Sequence, residues 1–235
     1  MLKTIIDGFT DLLYPPECPG CARRSDDGLV CSTCRLTFQD AGCVLLTAEP
    51  PNGVLPVAAL WMFREREPIQ RLMHRLKYAN SPWIGTEIGV MLGEKLRIES
   101  TCRLDLVVPV PLHTDRRVNR GYNQSDWIAR GVASSLGASV ATDALARVRA
   151  TRSQTKLSQN ERLENVEGAF QVQSDAVVGR RVALIDDTVT TGATLMTAAG
   201  ALVTAGALTV LPAAIAAAPL RTAPEPDPGF SVVLS

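Results

Sequence analysis

Beyond residue 50, the chain alternates between short apolar runs and stretches whose apolar residues recur at helical spacing. Four runs have the length and composition of buried strands: 54–63 (one strand or a strand pair), 104–112, 180–186 and 208–216. Four other stretches are predicted helices: 67–79, 87–98, 123–137 and 192–206. In the first of these, Ile69, Leu72 and Leu76 fall on one face. Strands that alternate with helices predict an α/β domain with a largely parallel sheet flanked by helices.

Composition divides the chain of 235 residues into three parts. The first 50 residues contain closely spaced cysteines, and the stretch TAEPPNG (47–53) has the composition of a linker. We therefore expect a small cysteine module over 1–50, an α/β domain over 51–219 and a loose, proline-rich tail over 220–235.

Charge and hydropathy narrow the class of protein. Lys+Arg and Asp+Glu both number 24, so no overall basic field attracts nucleic acid. The first 16 residues lack the apolar core of a secretory signal, and the longest apolar run, 206–219, is short for a membrane span and contains prolines. We expect a cytoplasmic protein without a membrane span. In that compartment six cysteines indicate metal binding or free thiols rather than disulfides.

Candidate chemistry is concentrated in the stretch VALIDDTVTTGATL (182–195). Asp186 and Asp187 end an apolar strand, and ligands of parallel α/β sheets bind beyond the carboxyl ends of strands. The following turn leads into a helix N-terminus, where unpaired N–H groups favour an anion, and Gly192 lets a ligand approach the backbone. Two carboxylates beside such a turn suit neighbouring sugar hydroxyls or Mg²⁺, so the segment predicts a sugar-phosphate site.

The alternative is that Asp187 and the threonines only cap the helix. Capping explains one acidic residue before a helix, but not two in succession followed by the turn TVTTGAT. A Walker A loop is excluded because no lysine follows the glycine.

LIDDTVTTGAT resembles the signature of type I phosphoribosyltransferases. The resemblance implies that Asp186 and Asp187 meet the ribose hydroxyls of phosphoribosyl pyrophosphate, which binds together with Mg²⁺. It implies that the 5-phosphate lies on the turn formed by Thr190, Thr191, Gly192, Ala193 and Thr194. Purine-salvage members have an aspartate where this chain has Thr190, so the resemblance argues against purine salvage.

Further segments resemble the ComF family, competence-protein relatives of these transferases. They are LKYAN (76–80), VVPVPLH (107–113), RRVNRGYNQS (116–125) and the stretch 147–170. The resemblance covers roughly residues 10–215. It implies a phosphoribosyltransferase-like fold behind a zinc-binding module, a role in natural transformation, and single-stranded DNA or a competence helicase as partners. An enzyme that transfers the phosphoribosyl group and a sensor that only binds the precursor both fit this resemblance.

The same resemblance assigns the remaining candidate residues. For pyrophosphate they are Pro111, Leu112, His113, Arg116 and the candidate catalytic residue Arg120; for a lid over the substrate they are Gln154 and Arg162. Lys77 either contacts phosphate or extends its aliphatic stem along apolar surface. For each of these segments the structural alternative is a strand-end turn or a solvated loop without a role.

Cys18, Cys21, Cys31 and Cys34 follow the pattern C-x₂-C-x₉-C-x₂-C. Two such pairs can direct four thiolates at one ion, which predicts a closed, structural Zn²⁺ site. A redox role would need a thioredoxin-like strand and helix around a CxxC pair, and that context is absent here.

A nucleic-acid-binding surface is the second functional hypothesis. Basic and aromatic residues are interleaved between positions 61 and 83: Trp61, Phe63, Arg64, Arg66, Arg71, Arg75, Tyr78 and Trp83. Such a set can stack bases and track phosphates, whereas the alternative is that the aromatic side chains belong to the core. The acceptor of a transferred phosphoribosyl group and the oligomeric state are not specified by any motif.

Overall fold

The computed structural model describes residues 17–25, 28–41, 43–44, 50–64, 67–78, 81–99, 103–112, 122–148 and 168–218. The α-helices in these ranges are α1 (Ser32–Thr37), α2 (Pro68–Tyr78), α3 (Pro82–Glu99), α4 (Gln124–Leu136) and α5 (Ala193–Thr204). The strands are β1 (Cys43–Val44), β2 (Val57–Met62), β3 (Leu106–Pro109), β4 (Ser139–Val140), β5 (Leu145–Arg147), β6 (Phe170–Val172), β7 (Arg181–Val189) and β8 (Thr209–Ala217). A short 3₁₀ helix, Asp175–Val177, precedes β7.

Six strands form one sheet in the order β1-β2-β8-β7-β3-β4. All neighbours from β2 to β4 are parallel, and only β1 pairs with β2 in the antiparallel sense. Crossovers between parallel strands require long connections, and helices α2 to α5 lie in them. The predicted α/β class, a largely parallel sheet flanked by helices, is confirmed.

The predicted helices and strands are present with shifted ends. The helix predicted to begin at residue 87 already begins at Pro82, because proline suits the first turn, where its missing N–H is not needed. The strand predicted to end at Asp186 continues to Val189, since Thr188 and Val189 pair with Ala216 and Ala217 of β8. The sequence analysis did not predict the hairpin of β5 and β6 or the short edge strands β1 and β4. Strands of two or three residues are too short to show a periodic pattern.

The sheet separates two hydrophobic layers. One contains α2, α3 and α4 with residues such as Leu72, Ile88 and Ile128, and the other contains α5 with Leu195 and the β5–β6 hairpin. Alternate residues of β7 enter opposite layers, as the period of two requires: Ala183 and Ile185 face the first, Val182 and Leu184 the second. Because these four residues are buried on opposite faces, the orientation of the following β7 residues, Asp186 and Asp187, is also set.

Helices α3 and α4 lie unusually close together because glycines face the contact. A Cβ atom added at Gly89 would be 2.2 Å from the carbonyl oxygen of Ile128, and one added at Gly131 would be 2.0 Å from that of Thr86. This packing brings the N-terminus of α4 firmly against the sheet. α3 is the longest described helix, with 18 residues, but no helix in the described ranges is both long and apolar enough to cross a membrane.

The cysteine-bearing segment packs on α2 and on the edge of the sheet. The ring centroids of Phe38 and Trp61 are 4.6 Å apart, and Arg71 Nε donates to the carbonyl of Gly20 at 2.6 Å. The buried cysteines belong to the same hydrophobic layer as α2. The segment is therefore held by side-chain contacts as well as by the β1–β2 pairing.

Candidate functional site

The carboxyl end of β3 lies beside β7 just before the acid pair. Pro109 pairs with Ile185, and Val110 N–H donates to the Ile185 carbonyl at 2.8 Å. Pro111 and Leu112 therefore leave the sheet beside the point where β7 reaches its two aspartates. The two segments chosen from sequence as candidate site segments come together, as the edge rule for parallel sheets predicts.

Asp187 is buried, with 7% of its surface exposed, and it has two partners from different helices. Gln124 Nε2 on α4 donates to Asp187 Oδ2 at 2.7 Å, and Lys77 Nζ on α2 lies 3.4 Å from the same oxygen. Lys77 Nζ is also 3.5 Å from Thr188 Oγ1. The structure thus places Lys77 against the acid pair.

Asp186 has different surroundings. Its Oδ1 accepts from the backbone N–H of Asp187 at 2.8 Å and from Ser125 Oγ at 3.3 Å. Burial of its carboxyl group, together with the neighbouring charge of Asp187, raises the pKa of Asp186 to about 7. The charge of Lys77 and the two hydrogen bonds oppose this rise but do not cancel it.

The threonine-glycine turn (190–194) begins where β7 ends, two residues after the acid pair. Gly192 has φ +81°, a left-handed conformation that favours glycine, and is the N-cap of α5. Gly192 has no side chain with which to cap the helix, and Ala193 N–H donates to Thr191 Oγ1 at 3.5 Å, the outer limit of a hydrogen bond. A small cavity of about 30 Å³ lies here, and its lining residues are Asp186, Thr188, Val189, Thr190, Gly192, Ala193, Thr194 and Leu195. The loop therefore offers backbone N–H groups and hydroxyls around a recess with Asp186 at its side.

The N-terminus of α4 connects these parts. Asn123 caps the helix by accepting from Ser125 N–H at 3.3 Å, and its Nδ2 donates to the carbonyl of Val110 at 3.2 Å. Tyr122 Oη donates to the carbonyl of Leu76 at 2.7 Å. Asn123 is thus the N-cap of α4, and its bond to the Val110 carbonyl ties α4 to the end of β3.

A larger cavity, of about 420 Å³, lies beside Pro111 and Leu112. Its other lining residues include Asn123, Asp126 and Arg147. The remaining residues predicted for pyrophosphate and for the lid lie outside the described residues: His113, Arg116, Arg120, Gln154 and Arg162. Their proposed roles stay predictions.

The four N-terminal cysteines converge. Their Sγ atoms all lie within 4.8 Å of one another, and the Cys21 and Cys31 sulfurs are 3.7 Å apart. Four ligands at a Zn–S distance of about 2.3 Å in a tetrahedron would be separated by about 3.8 Å, so the spacing fits a metal ion. Burial opposes ionisation of Cys18, but backbone N–H groups of Cys31, Cys21 and Gly20 outweigh it and lower the pKa of this thiol to about 7. The cluster could therefore hold a metal such as zinc.

The sequence analysis missed two side chains that donate to the acid pair: Gln124 donates to Asp187 and Ser125 donates to Asp186. A signal was present, because NQS at a predicted helix start places a glutamine where the helix faces the core. Both side chains are buried, Gln124 at 3% and Ser125 at 1% exposure. Buried polar groups are nearly always paired, but the sequence does not tell with what.

The fold and the site together define an α/β protein with paired acids and a glycine-threonine turn at the carboxyl edge of a parallel sheet, preceded by a four-cysteine cluster. Competence protein F of Haemophilus influenzae is 31% identical over 187 residues, which are 76% of this chain and 80% of that protein. The DNA utilization protein YhgH of Escherichia coli is 32% identical over the same shares of both chains. The chain belongs to the ComF family of competence proteins.

Other comparisons are weaker. No protein-family model matches the chain. Among solved structures, a glutamine phosphoribosylpyrophosphate amidotransferase from B. subtilis, complexed with ADP and GMP, superposes with a TM-score of 0.40 at 24% identity. The match covers 60% of this chain and 30% of that one. Because this structural similarity is weak, the fold assignment rests on the strand order of the sheet described above.

Proposed function

We propose that this protein binds phosphoribosyl pyrophosphate with Mg²⁺ and transfers its phosphoribosyl group to an acceptor. One observation carries the proposal: the acid pair on β7 is followed, after Thr188 and Val189, by a turn with a left-handed glycine at the N-terminus of α5, close to the end of β3. Neighbouring carboxylates suit the vicinal hydroxyls of a ribose, and a free helix N-terminus suits a phosphate. A 5-phosphorylated ribose combines both.

In this proposal a separate group of residues binds each part of the substrate. Asp186 and Asp187 take the ribose hydroxyls, and the turn 190–194 takes the 5-phosphate. The pyrophosphate goes to the segment that begins at Pro111 and Leu112 and continues with His113, Arg116 and Arg120. Gln154 and Arg162 belong to the segment that we expect to cover the bound substrate.

The proposed transfer requires no covalent intermediate with the protein. As the bond from ribose C1 to pyrophosphate breaks, positive charge develops on the sugar ring and negative charge on the leaving group. Carboxylates that hold the ring hydroxyls and basic groups around pyrophosphate stabilise both charges, so positioning and electrostatics supply most of the catalysis. Mg²⁺ would neutralise part of the pyrophosphate charge.

Titration calorimetry tests the binding step. Wild-type protein with Mg²⁺ should give saturable heat with phosphoribosyl pyrophosphate, and Asp186→Asn should weaken the affinity at least tenfold, because a charge-assisted hydrogen bond is lost. Ser134→Ala, on an exposed position of α4, is the control and should bind like the wild type. An absence of heat with the wild-type protein at millimolar ligand would refute the proposal.

Turnover separates an enzyme from a sensor. A transferase releases pyrophosphate when a competent acceptor is supplied, whereas a protein that only senses the precursor binds it without consuming it. The measurement is pyrophosphate release over a panel of nitrogen nucleophiles. Binding without release for any of them favours the sensor.

For the cysteine cluster we infer a structural Zn²⁺ ion that stabilises the module over 1–50. Four thiolates leave no open coordination position, and a closed site of this kind contributes directly to the folding free energy. Metal-bound thiols are maintained in reducing compartments, which supports a cytoplasmic location.

A second candidate function is the binding of single-stranded DNA; the names of two relatives mention competence and DNA utilization. Tyr78 and Trp83 are 60% and 53% exposed, as a base-stacking surface requires, whereas Trp61 is buried at 6%. Arg71 and Arg75 contact Gly20 and Glu17, so they are less available than their sequence spacing suggested. The test is the anisotropy of a labelled oligonucleotide with wild-type protein and with Tyr78→Ala/Trp83→Ala. Equal binding by both would count against this surface.

A further inference from the structure

The two carboxylates of the acid pair share a pattern of occupied and open oxygens. In Asp187, both Gln124 Nε2 and Lys77 Nζ approach Oδ2. In Asp186, both Ser125 Oγ and the backbone N–H of Asp187 approach Oδ1. Among the described residues no donor reaches the other oxygen of either carboxylate. Each acid is thus held through one oxygen and keeps the other available as an acceptor.

Of the groups that contact the two carboxylates, Gln124 combines deep burial with the shortest side-chain contact. It is only 3% exposed, and its Nε2 makes the shortest side-chain contact to the acid pair, at 2.7 Å. Its Oε1 is buried and finds no hydrogen-bond partner in the described part of the chain. A buried unpaired oxygen destabilises a fold, so an apolar side chain of equal size would serve packing better. This points to a role for the donor Nε2 at Asp187.

We propose that Gln124 is a positioning residue that fixes Asp187 for the 2-hydroxyl of a ribose and thereby makes the site prefer ribose over 2-deoxyribose. The inference rests on the proposed binding of a phosphorylated ribose. With Oδ2 held by Gln124 and Lys77, Oδ1 has a defined direction and remains free to accept from a sugar hydroxyl. Without Gln124, the carboxylate can rotate toward Lys77, and the site loses one directed acceptor but none of its phosphate contacts.

The experiment compares three proteins: wild type, Gln124→Met and Gln171→Met. The Met variant at position 124 keeps the size of the side chain and removes the donor. Gln171→Met makes the same chemical change on an exposed position of β6. Affinities for phosphoribosyl pyrophosphate with Mg²⁺, for ribose 5-phosphate and for 2-deoxyribose 5-phosphate are measured by direct and competition calorimetry.

We expect wild type and Gln171→Met to prefer ribose 5-phosphate over its 2-deoxy analogue by about tenfold or more. In Gln124→Met the preference should fall below about threefold, and the affinity for phosphoribosyl pyrophosphate should drop about 10- to 100-fold. Inorganic phosphate should bind all three proteins equally. A purely structural role for Gln124 would lower the melting temperature and leave the sugar preference intact, and that result overturns the inference.

A second readout does not depend on any ligand. In crystals of unliganded Gln124→Met, the Asp187 carboxylate should leave the orientation that it has in the wild type; an unmoved carboxylate overturns the inference. If wild-type protein binds no phosphorylated sugar, the proposed function fails, and this second readout still decides whether Gln124 positions Asp187. If the wild type and Gln124→Met both bind and show the same preference for ribose 5-phosphate over its 2-deoxy analogue, the positioning role of Gln124 is refuted while the proposed function stands.

Discussion

Lys77 Nζ on α2 lies 3.4 Å from Oδ2 of Asp187 on β7, and this contact joins a helix near the start of the α/β domain to the candidate site near its end. The lysine side chain is 25% exposed and the aspartate side chain 9%, so the pair is partly shielded from water. In such surroundings an unpartnered carboxylate is costly, because it has given up hydration without gaining a counter-charge.

Lys77→Met should therefore destabilise the protein by about 1–3 kcal/mol, less than for a fully buried pair because the lysine retains some contact with water. In the double variant, Asp187→Asn should restore part of the stability that Lys77→Met removes. A double-mutant cycle measured by urea denaturation tests the coupling. Additive effects of the two substitutions would show that the ion pair contributes nothing to stability.

The raised pKa of Asp186 predicts a pH-dependent stability. The carboxyl binds its proton more tightly in the folded protein, with a pKa of about 7 against an ordinary value of 3.8. Its contribution is therefore fully present below about pH 4, declines as the pH rises, and is lost above about pH 7. From pH 5 to pH 8 this group alone lowers the free energy of unfolding by up to about 3 kcal/mol.

Asp186→Asn removes that dependence, so the variant should lose less stability than the wild type between pH 5 and pH 8. Denaturant unfolding at both values measures the difference. Asp143→Asn removes an exposed carboxylate and should follow the wild-type trend. An Asp186→Asn variant that loses as much stability as the wild type would contradict the predicted titration.

Close packing of α3 on α4 predicts a large penalty for a single methyl group. Gly89→Ala places a Cβ 2.2 Å from the Ile128 carbonyl oxygen, so the helices must separate, at a cost of about 2–3 kcal/mol or more. Gly200→Ala on α5 is the matched control, because among the described residues its Cβ would meet only Pro51, at 3.9 Å. That change should be neutral or stabilise by up to about 1 kcal/mol, since alanine is the better helix former. Equal melting temperatures for the two variants would refute the close contact.

Removal of the metal should unfold or loosen the cysteine module. We expect one zinc per chain by elemental analysis, and a lower melting temperature after treatment with a strong chelator that is restored by zinc. Cys34→Ser should reduce zinc content and stability together, since three thiolates bind more weakly than four. A fully reduced protein that contains no metal and is unaffected by chelators would exclude the structural zinc site.

Local patterns in the sequence were sufficient for the longer helices and strands, but not for α1, β1, β4, β5 and β6. They also identified those parts of the site whose residues are close together in the chain. The period of the apolar residues defined α2, α4, β7 and β8. The acid pair, the turn 190–194 and the cysteine cluster were identified because their residues lie close together in the chain. Contacts between sequence neighbours depend on local backbone geometry, which a short motif determines.

Only the tertiary structure decided which side chains hold the acid pair. Gln124 and Asp187 are 63 positions apart, and their contact exists because glycines let α3 and α4 pack closely while β7 lies beside β3. The same holds for the exposure of Tyr78 and Trp83 and the burial of Trp61, which the spacing of aromatic residues left open. Such contacts depend on the relative placement of whole elements, a sum of many weak packing interactions that no single stretch of sequence encodes.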